Sequence, residues 1–577
     1  MRKTIATVSV SGTLTEKLDA IAAAGFDGVE IFENDLLVCP HGPEEVRARA
    51  ADLGLGIDLY QPFRDFEAMP PAGLAAGLAR AERKFQVMER LGADLLLVCS
   101  NVSPEAIGDD DLAAEHLCLL AERAAEHGVR VAYEALAWGR HVNEYLHAWR
   151  IVRLAGHPGL GTCLDSFHIL SRGSDPIGIE AIPGEKIFFL QLSDAPLLAM
   201  DVLQWSRHYR CFPGQGNFDL VGLVGHVLDA GYTGPLSLEV FNDVFRQASV
   251  GRTALDGMRS LIALEQGLRG AAHPAVPTGF AFAELADTGS LGEVLSALGF
   301  ARTGTHPTKA VTLWEQEGAR LLLNAGDDEP ALIAIGLDSP DPAGAVEHAT
   351  SLLSPVLPRE RAPQEAPLQA VAAPDGTEIF FCDTSWLGDF GPARPVAGAI
   401  THIDHVALTQ PWHHFDEASL FYRSVLGLRP QESLELPDPY GLLRSKAMST
   451  ASGAGGQVRM VLNLAQVGGA GVRHQHVALA CDDLPAVARR LRSEHPELLL
   501  PIPANYYDDL DARHDVDPEL RELGVLYDRD EHGEFLHLYT ITVGRVFFEI
   551  VQRIGGYQGY GAGNAPIRLA VQHAGSH

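Results

Sequence analysis

No stretch of this 577-residue sequence approaches the run of about 18 apolar residues that a membrane-crossing helix requires. The opening MRKTIATVSV also lacks the long apolar segment of a secretory leader. Both absences point to a cytoplasmic chain with no membrane partner. Positive charge is scarce as well: 44 Lys and Arg face 75 Asp and Glu, a formal net charge of −31. Such an exterior repels phosphate backbones, which argues against nucleic acid as a partner. The seven cysteines (Cys39, Cys99, Cys118, Cys163, Cys211, Cys382, Cys481) are odd in number and form no CxxC. That fits reduced core thiols and excludes a disulfide framework or a zinc knot. Missing too is the glycine-rich phosphate turn that a doubly wound dinucleotide fold places after its first strand, where this chain reads VSVSGTL.

What is present is the composition of globular protein, 46% hydrophobic and 21% charged, in a chain too long for one core. From residue 4 to about residue 268, short aliphatic or β-branched runs alternate with amphipathic helical stretches. The strand candidates are TIATVSV, GVEIF, GIDLYQP, ADLLLVCS, VRVAYEAL, LGTCLDSFH, IFFLQLSD and GPLSLEVF. Helical patterns such as TEKLDAIAAAG and LAAEHLCLLAERAAEHG lie between them and end at glycines suited to a left-handed cap. Eight such units predict an α/β (β/α)8 TIM barrel over residues 1–270.

A barrel fills its interior with aliphatic side chains and keeps reactive groups at the C-terminal strand ends. The last four strands carry Glu134, Asp165, Gln191 and Glu239 there. Each acid alone could be a loop ion-pair partner, but four polar groups in register on consecutive strands point to a shared cation, because an isolated buried carboxylate costs several kcal/mol. Three carboxylates and an amide oxygen are hard donors, which favours Mg, Mn or Co. His168, three residues past Asp165, reads either as a satisfied core histidine or as a general base beside the metal.

These strands resemble the sugar-isomerase-like metal barrels, the xylose-isomerase-like superfamily, which share this donor set and a PGxG turn after strand seven, here PGQG at 213–216. More narrowly, YEALAWGRHVN, LDSFHILSRG, QLSDAP and RCFPGQGNFDL resemble the bacterial 3-dehydroshikimate dehydratases of quinate and shikimate catabolism. The resemblance implies a hydro-lyase whose small-molecule substrate is 3-dehydroshikimate and whose product is 3,4-dihydroxybenzoate (protocatechuate). It implies that the cation chelates the ketone and its neighbouring hydroxyl while His168 removes the proton between them. The substrate carboxylate then needs a cation, for which Arg64 and Arg210 are the candidates, either of which could instead be a structural ion-pair partner. Self-association into a homo-oligomer is left open.

After a Pro- and Ala-rich break at AAHPAVPTG, two copies of one plan follow, expected over 278–395 and 396–577. Their repeat resembles an α+β paired vicinal-oxygen-chelate (βαβββ) module. THIDHVAL, GVRHQHVALA, LGVLYDRDEHGEFLHLYT and FFEIVQRIGGYQGYGAGN are similar to the C-terminal half of 4-hydroxyphenylpyruvate dioxygenase, and that family's ligands fall on His405, His476 and Glu549. Two histidines and a carboxylate imply a second divalent metal. The dioxygenases continue into a helix that gates their pocket, whereas APIRLAVQHAGSH shows little amphipathic pattern. The expectation is therefore an uncovered site that binds metal without oxygenase turnover.

Three readings compete with the dehydratase. A sugar or inositol isomerase or dehydratase of the same superfamily would act on neutral substrates and need no arginine. A repair nuclease would need a basic face, absent at −31. A bifunctional dehydratase and aromatic-acid dioxygenase would use both metal sites, while a tail that only binds or assembles would use one.

Overall fold

The computed structural model describes the chain except residues 271–272, 274, 392–395, 440, 452–456, 465–473 and 576–577. Part of the expected break at AAHPAVPTG, and the stretch next to the expected boundary at 395/396, lie outside the described residues. The chain divides into two compact units, Met1–Ala271 and Ala272–His577. Among the described residues no helix is long and apolar enough to cross a membrane.

The first unit is a closed barrel of eight parallel strands, β1 (Lys3–Ala6), β2 (Gly28–Phe32), β3 (Gly56–Phe63), β4 (Leu95–Cys99), β5 (Arg130–Glu134), β6 (Leu160–Asp165), β7 (Ile187–Leu192) and β8 (Leu236–Leu238). It closes where β1 pairs β8. This is the (β/α)8 architecture expected of the alternation. The first strand is shorter than TIATVSV suggests, because Thr7–Ser9 forms a 3₁₀ turn. The reason is hydroxyl chemistry: Thr7 Oγ1 accepts the Phe32 amide at 3.1 Å and Ser9 Oγ accepts the Val240 amide at 2.9 Å. Those bonds tie the ends of neighbouring strands together. The helices between strands follow the sequence punctuation, with Leu14–Ala23 opened by a Thr13/Glu16 capping box. Pro71–Leu91 ends on Gly92 at φ +77°, a left-handed cap that glycine adopts without strain.

The second unit holds two mixed sheets built alike. Side by side, the first sheet orders Ala301–Thr305, Val311–Gln316, Ala319–Ala325, Gly279–Asp287, Ala331–Asp338, Glu378–Cys382 and Gln369–Ala372. The second orders Arg429–Asp438, Gly441–Ser449, Arg459–Leu464, Ile400–Gln410, Gln475–Cys481, Val546–Gly555, Gly533–Tyr539 and Leu526–Arg529. In each, the opening strand sits at the centre, antiparallel to the strand that follows the βαβββ unit. This repetition matches the paired module read from the sequence.

One expectation is overturned. Ala565–Gly575 is a helix, and Ala565 and Arg568 line the cavity beside His405 and Glu549. Its buried residues are Arg568 and Gln572, one turn apart, with Arg568 Nη1 donating to Gln572 Oε1 at 2.7 Å. A helix that turns polar side chains inward has no apolar stripe to read, so the site is covered where an open one was expected.

Candidate metal centres

Glu134 closes β5, Asp165 closes β6, Gln191 stands next to last on β7, and Glu239 follows β8 by one residue. Parallel pairing sets Asp165 opposite Gln191, and Gln191 opposite Ser237, two residues before Glu239. All four side chains are buried, as is His168. Donor atoms of Glu134, Asp165 and His168 lie within 4.8 Å of one another. The strand ends thus bring Glu134, Asp165 and His168 together, while the Gln191 side chain bonds to Glu30 and Cys163.

Arg210 enters this cluster from the loop after β7. Its Nη1 donates to Asp165 Oδ2 at 2.8 Å and Glu239 Oε2 at 3.0 Å, while Ser206 Oγ accepts from Nε and Nη2 at 3.2 and 2.9 Å. Two guanidiniums, Arg210 and Arg64, against the four carboxylates of Glu30, Glu134, Asp165 and Glu239 leave two negative charges uncompensated, the charge a divalent cation would supply. The electrostatics follow that count. Burial, then repulsion by Asp165 and Glu239, pushes Glu134 well above the carboxylate range. Burial also raises Glu239 to about 7 against the pull of Arg210. Asp165, buried as deeply, is held below its ordinary value by Arg210 and by the Phe167 amide that donates to it at 2.6 Å. Glu134 Oε1 is buried without a hydrogen-bond partner, although Oε2 accepts from Cys99 Sγ at 3.3 Å. An orphaned buried oxygen in an acid-rich cluster is what a hard cation would satisfy, so the residues fit the metal.

His168 Nδ1 accepts the Ala137 amide at 3.1 Å, and Arg210 Nη2 lies 3.3 Å from Nε2. Burial above all, then the charges of Arg210 and Arg64, depress its pKa to about 3 despite Asp165, which keeps the ring neutral near pH 7. A neutral imidazole has one hydrogen to place. On Nε2 it lets Ala137 keep its acceptor. On Nδ1 it exposes the Nε2 lone pair a base needs, and the Ala137 amide loses its partner at roughly 1–3 kcal/mol. Arg64, on the loop after β3, is half-buried, and its charge also lowers Glu239.

Two groups that sequence reasoning missed shape the barrel site. Glu30, inside β2, accepts Gln61 Nε2 at 2.7 Å, Gln191 Nε2 at 2.6 Å and the Ser237 hydroxyl. By accepting from Gln191 Nε2 it fixes which end of that side chain offers its oxygen, and Cys163 Sγ donates to that Oε1 at 3.4 Å. Its signal was visible as a lone acid in GVEIF. Glu30→Ala is expected to weaken divalent-metal affinity by about tenfold or more and to lower the melting temperature, because three buried donors lose their acceptor. Calorimetric metal titration checks this, and unchanged affinity would remove Glu30 from the site. Asp194, in QLSDAP, accepts the amides of Ala195, Gly214, Gly216 and Phe218 at 2.8–3.1 Å. That explains the PGQG turn. Gly214 sits at φ +87°, and a Cβ on Gly216 would collide with the Asp194 carboxylate and the Ala195 carbonyl. The tethered loop carries Arg210 into the cluster.

In the second unit, His405 Nε2 and His476 Nε2 each lie 3.2 Å from Glu549 Oε2 and 3.3 Å from each other. Two imidazoles and a carboxylate so spaced would hold a divalent metal. The side chains behind them fix their orientation. Asp404 Oδ2 lies 2.8 Å from His405 Nδ1 and is clamped by Arg553 Nη2 at 2.8 Å. His537, also missed in the sequence, lies 2.7 Å from Glu549 Oε1 through Nδ1 and 2.9 Å from Asn564 Nδ2 through Nε2. Against the cost of burial, Arg553 holds Asp404 far below the carboxylate range, and His405, His476 and His537 do the same for Glu549. The cavity beside these donors is about 50 Å³.

A xylose isomerase-like TIM barrel family model matches residues 18–264. The 3-dehydroshikimate dehydratase of Pseudomonas putida is 45% identical, over 99% of this chain and 98% of its own length. A solved structure described as a xylose isomerase-like TIM barrel/4-hydroxyphenylpyruvate dioxygenase fusion protein is 43% identical, with a TM-score of 0.91 and 100% of both chains covered. The 4-hydroxyphenylpyruvate dioxygenase of a Pseudomonas species is 28% identical over 51% of this chain and 93% of its own.

Proposed function

Because the chain belongs to the 3-dehydroshikimate dehydratase family, we propose that its barrel converts 3-dehydroshikimate to 3,4-dihydroxybenzoate and water. The observation that carries the site assignment is the buried Glu134, Asp165, Gln191 and Glu239 set with its unmatched negative charge. These residues would hold Mg, Mn or Co, which polarises the substrate ketone and stabilises the charge that develops on its oxygen. His168 Nε2 takes the proton from the carbon between ketone and the next hydroxyl-bearing carbon. The electron pair of that C–H bond forms a C=C bond as the next hydroxyl departs with a proton as water. Loss of one further ring proton and protonation of the ketone oxygen give the catechol, with no change of redox state. Arg64 provides the cation that an anionic substrate needs in an acidic protein, whereas Arg210 is committed to Asp165 and Glu239 as a structural ion-pair partner. A neutral sugar would have no use for Arg64, which weighs against the isomerase reading. Chromatographic identification of 3,4-dihydroxybenzoate tests the assignment, and a product of unchanged mass would favour an isomerase.

The domain assignment that goes with this reading is a dehydratase barrel over 1–270 and vicinal-oxygen-chelate halves over 278–395 and 396–577. The His405, His476 and Glu549 triad would hold a divalent metal that stabilises the second unit. It would not cleave oxygen, because about 50 Å³ is far below the roughly 300–1,000 Å³ of small-molecule sites. Iron-reconstituted protein should take up no oxygen with 4-hydroxyphenylpyruvate or 3,4-dihydroxybenzoate, while chelation lowers the melting temperature of the second unit. Substrate-dependent uptake that disappears in His405→Ala would overturn this.

A further inference from the structure

The two sheets of the second unit can be compared row by row. In the second sheet His405 pairs Ala478, which pairs Glu549, and the next row places His476 opposite Ala407. In the first sheet the same rows read Phe282, Gly336 and Phe380, and then Ala334 opposite Glu284. The three metal-donor positions of one half are therefore Phe282, Ala334 and Phe380 in the other. No side chain there can bind a metal. What replaces the centre is a cavity of about 620 Å³, against about 50 Å³ in the metal-competent half.

We propose that this cavity is a metal-free binding site for an aromatic carboxylate. Its wall is a cluster of rings: Phe282 meets Trp386 at 4.9 Å and Phe380 at 5.8 Å between centroids, and Trp386 meets Phe390 at 5.9 Å. Gly336 makes the arrangement possible, because a Cβ there would strike the Phe282 ring. Such walls accept a planar ring edge-on or offset. At the border, Arg359 lies over the Phe380 ring at 4.4 Å, and Arg361 stands two residues further along the same extended segment. Of the four acids that line the cavity three are already engaged, and the fourth, Glu360, stands between Arg359 and Arg361 in the sequence. Glu365 is bound by Lys309 at 2.6 Å and by the Thr308 hydroxyl, Asp389 accepts the Ala366 amide, and Glu284 accepts Asn324 Nδ2 at 2.8 Å. Arg359 pairs with Glu378, 3.5 Å away and 43% exposed, a partner that solvent screens. A planar guanidinium set on an aromatic wall matches a carboxylate attached to a ring, and the volume suits a molecule of that size.

The test titrates the full-length protein with benzoate, using tryptophan fluorescence and calorimetry, with benzamide as the neutral isostere. Benzoate serves as the probe so that the outcome does not depend on the barrel reaction. Saturable quenching by benzoate is expected, with Trp386→Phe removing the signal. Arg359→Gln should raise the dissociation constant about tenfold or more. Arg359 lies on an exposed segment, so its replacement does not threaten the core. No quenching, equal affinity for benzamide, quenching that survives Trp386→Phe, or an unchanged constant in Arg359→Gln would each overturn the proposal.

Discussion

Glu134→Ala and Glu239→Ala should each abolish dehydration and leave the barrel without bound metal. Glu134 supplies the oxygen that has no protein partner, and Glu239 shares its carboxylate with Arg210. Removing either reduces the carboxylates set against Arg210 and Arg64 from four to three, which leaves one unit of negative charge for a cation that carries two. A divalent ion then loses both a donor and its charge balance. The expected fall in turnover is at least about a thousandfold, or roughly 4 kcal/mol of transition-state stabilisation, since each factor of ten is about 1.36 kcal/mol. Metal analysis of the purified variants separates loss of the ion from loss of fold, and Glu239→Gln keeps the shape while removing the charge. A Glu239→Ala enzyme with a normal rate would sink the metal mechanism.

His168→Ala should lower turnover by about a hundredfold or more while metal stays bound, because the ring faces the cluster yet is not among the four proposed ligands. The choice of tautomer gives a sharper readout. A base at Nε2 must break the bond between Nδ1 and the Ala137 amide, whereas an Nε2–H donor keeps it. The two roles differ in one observable. If His168 is the base, exchange of the substrate's acidic C–H with deuterium oxide disappears together with dehydration. If it only donates to the departing hydroxyl, exchange persists while dehydration is lost. Unchanged turnover would return His168 to a packing role.

The barrel and its proposed donors were legible because an acid at the end of an apolar strand is an anomaly that chemistry explains, and Glu134, Asp165 and Glu239 all have that form. Glu30 carries the same anomaly but sits within its strand, below the level where a search of strand ends looks. Arg210 could be named but not placed, since its burial between Asp165 and Glu239 depends on the Asp194 tether of a loop whose path no periodicity records. The helix Ala565–Gly575 was hidden for the opposite reason: its buried face is Arg568 and Gln572, which read as solvent residues. Phe282 and Phe380 pass in sequence for ordinary strand core. Only the pairing register sets them where the other half has His405 and Glu549.

The central claim is that the barrel dehydrates 3-dehydroshikimate through a metal held by the four strand-end donors. The most direct measurement follows the ultraviolet absorption of the catechol product when chelator-stripped protein meets 3-dehydroshikimate, before and after Mg, Mn or Co is restored. The account expects no rise from the stripped protein and a full return with at least one of the three ions. An equal rise from stripped and reloaded protein would contradict it.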